Sequence, residues 1–284
     1  MPFSTVTKAV AALTFTCLSC FSVAQEFIKI PDDRLLILKT DVGDVYIELA
    51  PHIAPQHVSR FLALHNLQAY DNTAFYRVID GFVAQAGPGG KGKQPYPPLK
   101  MEAIHPTKEL EFSLVQERDL FAAYTAFSRG FAIALNAKKT EYWLTHCPGV
   151  VAMARDNDPD SAVSDFYITI GQAPRYLDKI MTIFGRVVYG MEVVQRIQRG
   201  VVGDDGLMAN SHKPTQIQST ILVSELPVEK RPVIRVENTH GNLFDVKLAE
   251  RRHRSHPFFF EKPPAVLDVC QVPLATQFEA PAQP

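Results

Sequence analysis

Short segments in which apolar and polar residues alternate recur along this chain, and they constrain its fold more than any other feature. Residues 45–49 alternate strictly, and with the apolar run at 35–38 they predict a hairpin. Residues 75–79 and 82–87 flank Asp80-Gly81 and predict a second hairpin. Alternation with a period of two is typical of strands that bury one face. The chain is therefore predicted to be mainly β.

Further strands are predicted at 150–154, 166–170 and 182–188, and a last one near 218–224. Two helices are predicted, one beginning at Pro55 and one at Gly190-Met191, near the two ends of this region. Many short strands with few helices favour a closed antiparallel barrel over a parallel sheet. The apolar helix faces consist of Val58, Phe61, Leu62 and His65, and of Val193, Val194 and Ile197.

Two stretches depart from this regular pattern. Residues 88–147 form a long insertion, which begins with glycines and prolines; a connection of that length is usually functional or forms its own substructure. Residues 226–284 are interrupted by prolines and contain few periodic apolar positions. We expect them to form an irregular C-terminal extension packed on the barrel, with the basic cluster at 251–254 as a solvated face.

Composition limits the class of protein. Hydrophobic residues make up 46% and charged residues 21% of the 284 residues, which is typical of a globular protein. The formal net charge of -1 gives no basic excess of the kind that nucleic-acid binding requires. No nucleic-acid partner is therefore expected. The protein is expected to be a monomer.

The first 24 residues have the features of an export signal. Lys8 precedes an apolar run at 9–23, and Ser22-Val23-Ala24 supplies small residues before a predicted cleavage after Ala24. The alternatives are a buried first helix, a membrane anchor, for which the run is short, and lipid attachment at Cys20. Export predicts a periplasmic protein, or a secreted one where the cell has a single membrane, with no stable membrane insertion after cleavage.

Cleavage would remove Cys17 and Cys20 and leave Cys147 and Cys270. Disulfides persist in exported proteins, so this pair is a candidate bridge. Two buried thiols are the alternative.

Three ordered segments carry the functional signal: FYRVIDGFVAQAG at 75–87, GVVAMAR at 149–155 and SDFYITIGQAPRYLDKIMTIFGRVVYG at 164–190. Together they resemble the cyclophilins, a family of peptidyl-prolyl cis–trans isomerases. The resemblance spans about residues 33–225 and implies a closed eight-stranded antiparallel barrel capped by two α-helices.

The resemblance also implies the site residues. Arg77 corresponds to the catalytic arginine of the family. Met181 and Tyr176 replace a frequent histidine and tryptophan, Asp165 stands where Gln or Glu is usual, and Ala162-Val163 replace a glycine-rich turn. The implied substrate-binding residues are Phe82, Val83, Gln85, Ala154, Arg155, Asp165, Tyr167, Tyr176, Leu177 and Met181.

Simpler interpretations exist for several of these residues. Phe82, Tyr167 and Leu177 could belong to the core, and Arg155 could pair with Asp165 as an exposed ion bridge. The functional interpretation makes its own structural prediction. Arg77 and Gln85 share a face only if the hairpin loop has three residues, Asp80-Gly81-Phe82, because a two-residue loop would place Gln85 on the other face.

The predicted reaction is rotation about X–Pro bonds in proline-containing polypeptides, aided by a hydrogen bond from Arg77 to the prolyl nitrogen. It requires no metal and no cofactor, and the nine histidines show no metal-ligand spacing. Asp156, Asp158 and Asp160 alternate, but the glycine and glutamate of a calcium loop are missing. The alternative function is a proline-binding scaffold or holdase chaperone with little turnover.

Overall fold

A computed structural model describes residues 26–91, 96–209 and 213–281, so the predicted export signal lies outside the described residues. The strands are β1 (Phe27–Lys29), β2 (Leu35–Thr40), β3 (Gly43–Leu49), β4 (Thr73–Ile79), β5 (Val83–Ala86), β6 (His105–Pro106), β7 (Ser113–Glu117), β8 (Tyr124–Ser128), β9 (Phe131–Leu135), β10 (Glu141–Leu144), β11 (Val150–Met153), β12 (Phe166–Thr169), β13 (Ile183–Tyr189), β14 (Gln216–Leu222), β15 (Val233–Glu237) and β16 (Thr276–Glu279). The α-helices are α1 (Pro55–Asn66), α2 (Met191–Val194) and α3 (Asn242–His253).

Eight strands close into a barrel in the order β11-β12-β5-β4-β14-β2-β3-β13, and neighbouring strands are antiparallel. The predicted mainly β fold with a closed eight-stranded barrel is thereby confirmed. Helix α1 packs Phe61 among the rings of Tyr70, Phe166 and Phe184, with centroids 4.6 to 5.7 Å apart. Aromatic pairs of this kind add to the stabilisation from buried apolar area.

Helix α2 is shorter than predicted. It ends at Val194, although Val193, Val194 and Ile197 are all buried as expected. Beyond it the chain continues with bonds from Arg196 N to Val193 O and from Ile197 N to Val194 O, which span three residues instead of four. The apolar pattern therefore predicted the buried face correctly and the helix length wrongly.

The β4–β5 hairpin has the predicted three-residue loop. Arg77 pairs with Gln85 and Ile79 with Val83, which leaves residues 80–82 to form the turn. A bulge at Tyr76 shifts the register between Phe75 and Arg77. Side chains two residues apart normally share a face, so this extra residue lets Phe75 enter the core while Arg77 lies on the outer face.

The insertion at 88–147 forms an antiparallel sheet in the order β6-β10-β9-β8-β7. The apolar face of this sheet packs against the outer surface of the barrel. Ile133, Leu135 and Tyr142 belong to one apolar cluster with Ile183 and Tyr167 of the barrel. A second connection to the barrel comes from Glu102, whose carboxylate accepts hydrogen bonds from Gln56 N and His57 N at the start of α1.

The C-terminal extension is more regular than predicted. Strand β15 pairs with β1 and β16, and Ile234 and Val236 bury one face of this sheet against the outside of the barrel. Helix α3 was not predicted, because only Phe244 and Leu248 of its residues are buried and its surface is otherwise mostly polar. Phe244 packs edge-to-face on Phe127 of the insertion at 5.5 Å.

Cys147 and Cys270 are joined by a disulfide with an S–S distance of 2.05 Å. The bond connects the end of the insertion to the extension. Across the described residues, no helix is both long enough and apolar enough to cross a membrane.

Candidate active site

Arg77 and Gln85 lie side by side on neighbouring strands of the outer barrel face. Arg77 Nη1 donates to Gln85 Oε1 at 3.2 Å. Gln85 in turn pairs with Tyr167 across β5 and β12. Paired residues on antiparallel strands point to the same face with Cβ atoms roughly 5 Å apart. The register therefore places Arg77, Gln85 and Tyr167 in one row across three strands.

The bulged residue Tyr76 adds a hydrogen-bond relay behind Arg77. Gln85 Nε2 donates to the Tyr76 hydroxyl at 2.7 Å, and that hydroxyl donates to Asp165 Oδ2 at 2.5 Å. Burial, and then the nearby Asp165 carboxylate, raise the pKa of Tyr76. The phenol therefore stays protonated and fixes the amide of Gln85, whose oxygen faces Arg77. Sequence reasoning missed Tyr76, because its position depends on the bulge.

Asp165 is engaged on both carboxylate oxygens. Oδ2 accepts from Tyr76, and Oδ1 accepts from Gly89 N at 2.7 Å and from the Ser164 hydroxyl at 3.0 Å. The considered ion bridge between Arg155 and Asp165 does not form. Arg155 donates instead to the carbonyl oxygens of Ile180 and Asp156, at 3.0 and 2.6 Å.

An aspartate that the sequence did not predict contacts the guanidinium of Arg77. Nε of Arg77 donates to Asp205 Oδ2 at 3.2 Å, and Nη2 donates to Asp205 Oδ1 at 3.0 Å. The Arg77 side chain is 23% exposed and that of Asp205 is 75% exposed. Arg77 thus lies in a shallow position with a carboxylate on one edge of its guanidinium and an amide oxygen at Nη1.

The residues predicted to form an apolar slot lie next to this row, and Val83 and Tyr167 belong to an apolar cluster that the barrel shares with the insertion. Val83 and Tyr167 are 3% and 4% exposed, and Phe82, Leu177 and Met181 are half-buried. Phe82 stacks on Tyr176 with ring centroids 6.2 Å apart, and Tyr176 is 64% exposed. This ring pair is open to solvent on the side of Tyr176.

Ala154 and Arg155 directly follow β11. Ala154 is half-buried, and its backbone N–H donates to the carbonyl of Asp165 at 2.8 Å. Through its bond to Ile180 O, Arg155 connects this edge with the segment that carries Met181. Phe82, Ala154 and Met181 pack against the apolar cluster that contains Val83 and Tyr167.

The insertion packs against Tyr167 and helps to bury it. His146 stacks on Tyr167, and its Nε2 lies 3.0 Å from the Tyr167 hydroxyl. The Nδ1 of His146 lies 3.1 Å from Asp178 Oδ1. A carboxylate only accepts, so Nδ1 carries the proton; in the neutral ring Nε2 then accepts from the Tyr167 O–H. Burial raises the pKa of Tyr167, which keeps this donor protonated.

Asp178 extends this network to a buried arginine. Its Oδ2 accepts from Arg175 Nε at 2.6 Å, and Arg175 Nη2 donates to Asp119 of the insertion at 3.1 Å. These three side chains are less than a tenth exposed. The sequence did not predict His146, Asp178 or Asp119 as site residues, since nothing local to them indicates that the insertion folds back onto the barrel.

The site offers a forked cation and apolar rings beside it. Within the described ranges, no group of three His, Cys, Asp or Glu side chains could hold a metal ion. Arg77 offers hydrogen bonding from a permanently charged donor next to an apolar surface.

Comparisons with known proteins agree with this geometry. Residues 35–221 match the family model described as cyclophilin type peptidyl-prolyl cis-trans isomerase/CLD. A Brucella suis protein named "Probable peptidyl-prolyl cis-trans isomerase" is 31% identical over 211 residues, which cover 74% of this chain and 94% of that protein. Peptidyl-prolyl cis-trans isomerase A of Dickeya dadantii is 27% identical over 78% of this chain and 100% of that protein.

A solved structure extends the likeness beyond the barrel. The crystal structure of cyclophilin AquaCyp293 from Hirschia baltica has a TM-score of 0.75 and 28% sequence identity. The match covers 90% of this chain and 95% of that chain, so it includes most of the insertion and the extension.

Proposed function

The chain belongs to the cyclophilin-type peptidyl-prolyl cis–trans isomerases, and on that premise we propose that it acts on exported polypeptides with Arg77 as the catalytic residue. The observation that supports this role is the row of Arg77, Gln85 and Tyr167 across three strands. It places a charged donor beside the slot that would hold the proline ring.

The reaction explains why an arginine would serve. Rotation about an X–Pro bond faces a barrier of about 18–20 kcal/mol because amide resonance is lost. When the bond is twisted, the prolyl nitrogen becomes pyramidal, and its lone pair is localised on nitrogen because it is no longer shared with the carbonyl. A hydrogen bond from Arg77 to that lone pair is stronger in the transition state than in the planar ground state. Only such differential binding accelerates the step.

The surrounding residues would orient both the substrate proline and the guanidinium of Arg77. Phe82, Val83 and Tyr167 would hold the pyrrolidine ring, and Leu177 would close the far side of the slot. Gln85 fixes Arg77, because its oxygen accepts from Nη1 while its nitrogen is fixed by Tyr76. A guanidinium has five N–H donors. Asp205 accepts from Nε and, through both carboxylate oxygens, from Nη2, and Gln85 accepts from Nη1, which leaves the second N–H of Nη1 for the substrate.

The test is a proline-isomerisation assay on a short peptide. We expect Arg77→Ala to lower kcat/KM roughly 100-fold, as loss of one transition-state donor does in other enzymes. Arg77→Lys is the matched control, since it keeps the charge but loses the fork, and it should recover only part of the rate. Equal rates for wild type and Arg77→Ala would remove the proposed mechanism.

Export is the second part of the proposal. It is supported by the apolar run after Lys8 and by the small residues before Gln25. Expression of the full chain followed by cell fractionation and N-terminal sequencing tests it. We expect a periplasmic or secreted protein that begins at Gln25, and a cytoplasmic protein that retains its first 24 residues would contradict it.

A holdase with little turnover is the second candidate, and the carboxylate of Asp205 on Arg77 favours it. The same assay separates the two functions. Binding of a proline peptide without any rate enhancement would support the holdase, and robust turnover on a free peptide would exclude it.

A further inference from the structure

We propose that Asp205 sets the charge preference of the site, so that the isomerase favours a basic residue beside the substrate proline and disfavours an acidic one. The inference rests on the proposed function of Arg77 and adds a specificity-determining residue to it. It starts from the two-edged contact between the Asp205 carboxylate and the Arg77 guanidinium.

The first argument is that Asp205 is held in place. Its loop bonds to the part of β4 that extends beyond the residues paired with β14. Val78 N donates to Gly206 O at 2.7 Å, and Met208 N donates to Tyr76 O at 3.1 Å. Gly206 adopts a φ of +73°, and an added Cβ there would lie 2.5 Å from the Ile79 side chain. This close packing against β4 fixes the backbone of the loop, from which the Asp205 carboxylate reaches Arg77.

The second argument is the charge that a substrate meets. An arginine alone would attract acidic side chains near the proline. Here the positive charge is paired, and the more exposed member of the pair is the anion, with Asp205 at 75% against Arg77 at 23%. An acidic side chain approaching the site therefore loses the attraction of Arg77 and is repelled by Asp205, whereas a lysine or arginine is attracted.

The third argument is that the pairing leaves the site usable. Asp205 engages the Nε and Nη2 side of the guanidinium, and Gln85 takes one donor of Nη1. The second N–H of Nη1 remains for the prolyl nitrogen. Asp205 can therefore act on substrate choice and on the orientation of Arg77 without closing the site.

The experiment compares kcat/KM for four-residue peptides Ala-Xaa-Pro-Phe with Xaa as Glu, Ala or Lys, and for a second set with the varied residue after the proline. In wild type we expect the Lys peptide of at least one set to exceed its Glu counterpart roughly fivefold, a size typical of an exposed charge interaction. Asp205→Asn should bring this ratio close to one. Higher salt should reduce the ratio in wild type, since the charges are solvent-exposed.

Asp204→Asn is the matched control, because it removes the same charge from the neighbouring residue, for which no side-chain contact with Arg77 exists among the described residues. It should leave the Lys-to-Glu ratio near the wild-type value. An unchanged ratio in Asp205→Asn, an equal change in Asp204→Asn, or a wild-type ratio insensitive to salt would overturn the assignment. Failure of the proposed function is a different result, namely equal rates for wild type and Arg77→Ala.

Discussion

At the scale of single residues, the hydroxyl of Tyr167 belongs to the insertion network rather than to the substrate. It donates to His146, which Asp178 holds through Nδ1. The ring of Tyr167 lies in the apolar cluster that the barrel shares with the insertion, and its hydroxyl satisfies a buried imidazole nitrogen. Under the proposed function the ring would contact the substrate proline, whereas the hydroxyl serves stability.

Tyr167→Phe separates these roles. Loss of the hydroxyl leaves Nε2 of the buried His146 without a partner, so we expect the free energy of unfolding to fall by roughly 1–3 kcal/mol. We expect kcat/KM to change less than threefold, because the ring remains. Urea unfolding and the peptide assay measure the two effects. Tyr189→Phe is the control, since that hydroxyl makes no hydrogen bond among the described residues, and its stability should stay near that of wild type. A loss of kcat/KM well beyond threefold would show that the hydroxyl touches the substrate.

Local and distant determinants of the site differ in how well the sequence predicts them. The pairing of Arg77 with Gln85 followed from the length of one turn, because turn length fixes register. Asp205 lies 128 residues after Arg77, and no periodic pattern connects the two. The contact of Asp205 with Arg77 depends on how a loop rich in glycine and aspartate packs against β4.

At the scale of elements, the insertion is attached to α1 by a neutral histidine. The Nδ1–H of His57 donates to Glu102 Oε2 at 2.7 Å, and Nε2 has no partner among the described residues. Burial lowers the pKa of His57, and the Glu102 carboxylate only partly opposes this. Protonation of the folded protein would bury an unpaired N–H, so the imidazole stays neutral.

This contact predicts a pH dependence of stability. An unfolded histidine titrates near pH 6.5. Below that pH the unfolded chain binds a proton that folded His57 does not, so the free energy of unfolding falls as the pH falls, by at most ~1.4 kcal/mol per pH unit. We expect wild type to lose more stability between pH 7 and pH 5 than His57→Gln does. Urea unfolding at several pH values measures this, and parallel curves for the two proteins would contradict it.

The elements also show where apolar patterning stops being informative. The barrel strands and α1 bury one clear face, and the sequence predicted them. Helix α3 buries only Phe244 and Leu248, and the strands of the insertion are short. Such elements are stabilised by packing against other parts of the chain, which a local pattern does not contain.

At the scale of the whole molecule, the N-terminal strand, the insertion and the extension pack against one another outside the barrel. Phe127 and Val115 of the insertion share an apolar cluster with Phe244 and Leu248 of α3. Strand β1 pairs with β15 of the extension. The bond between Cys147 and Cys270 joins the insertion to the extension. Cys147 directly follows His146, which contacts the Tyr167 hydroxyl.

The disulfide should therefore stabilise the assembly of insertion and extension. Its cysteines are 123 residues apart, and closing a loop of that length removes about 5 kcal/mol of chain entropy from the unfolded state, an upper estimate. We expect thiol titration of residues 25–284, denatured and unreduced, to find no free thiol. We expect the double variant Cys147→Ala, Cys270→Ala to have a lower Tm. A reductant should lower the Tm of wild type and leave that of the double variant unchanged, because only wild type has a bond to break. Two titratable thiols in the unreduced protein would refute the bridge, and equal Tm values would show that packing of Phe127 on Phe244 holds the extension without it.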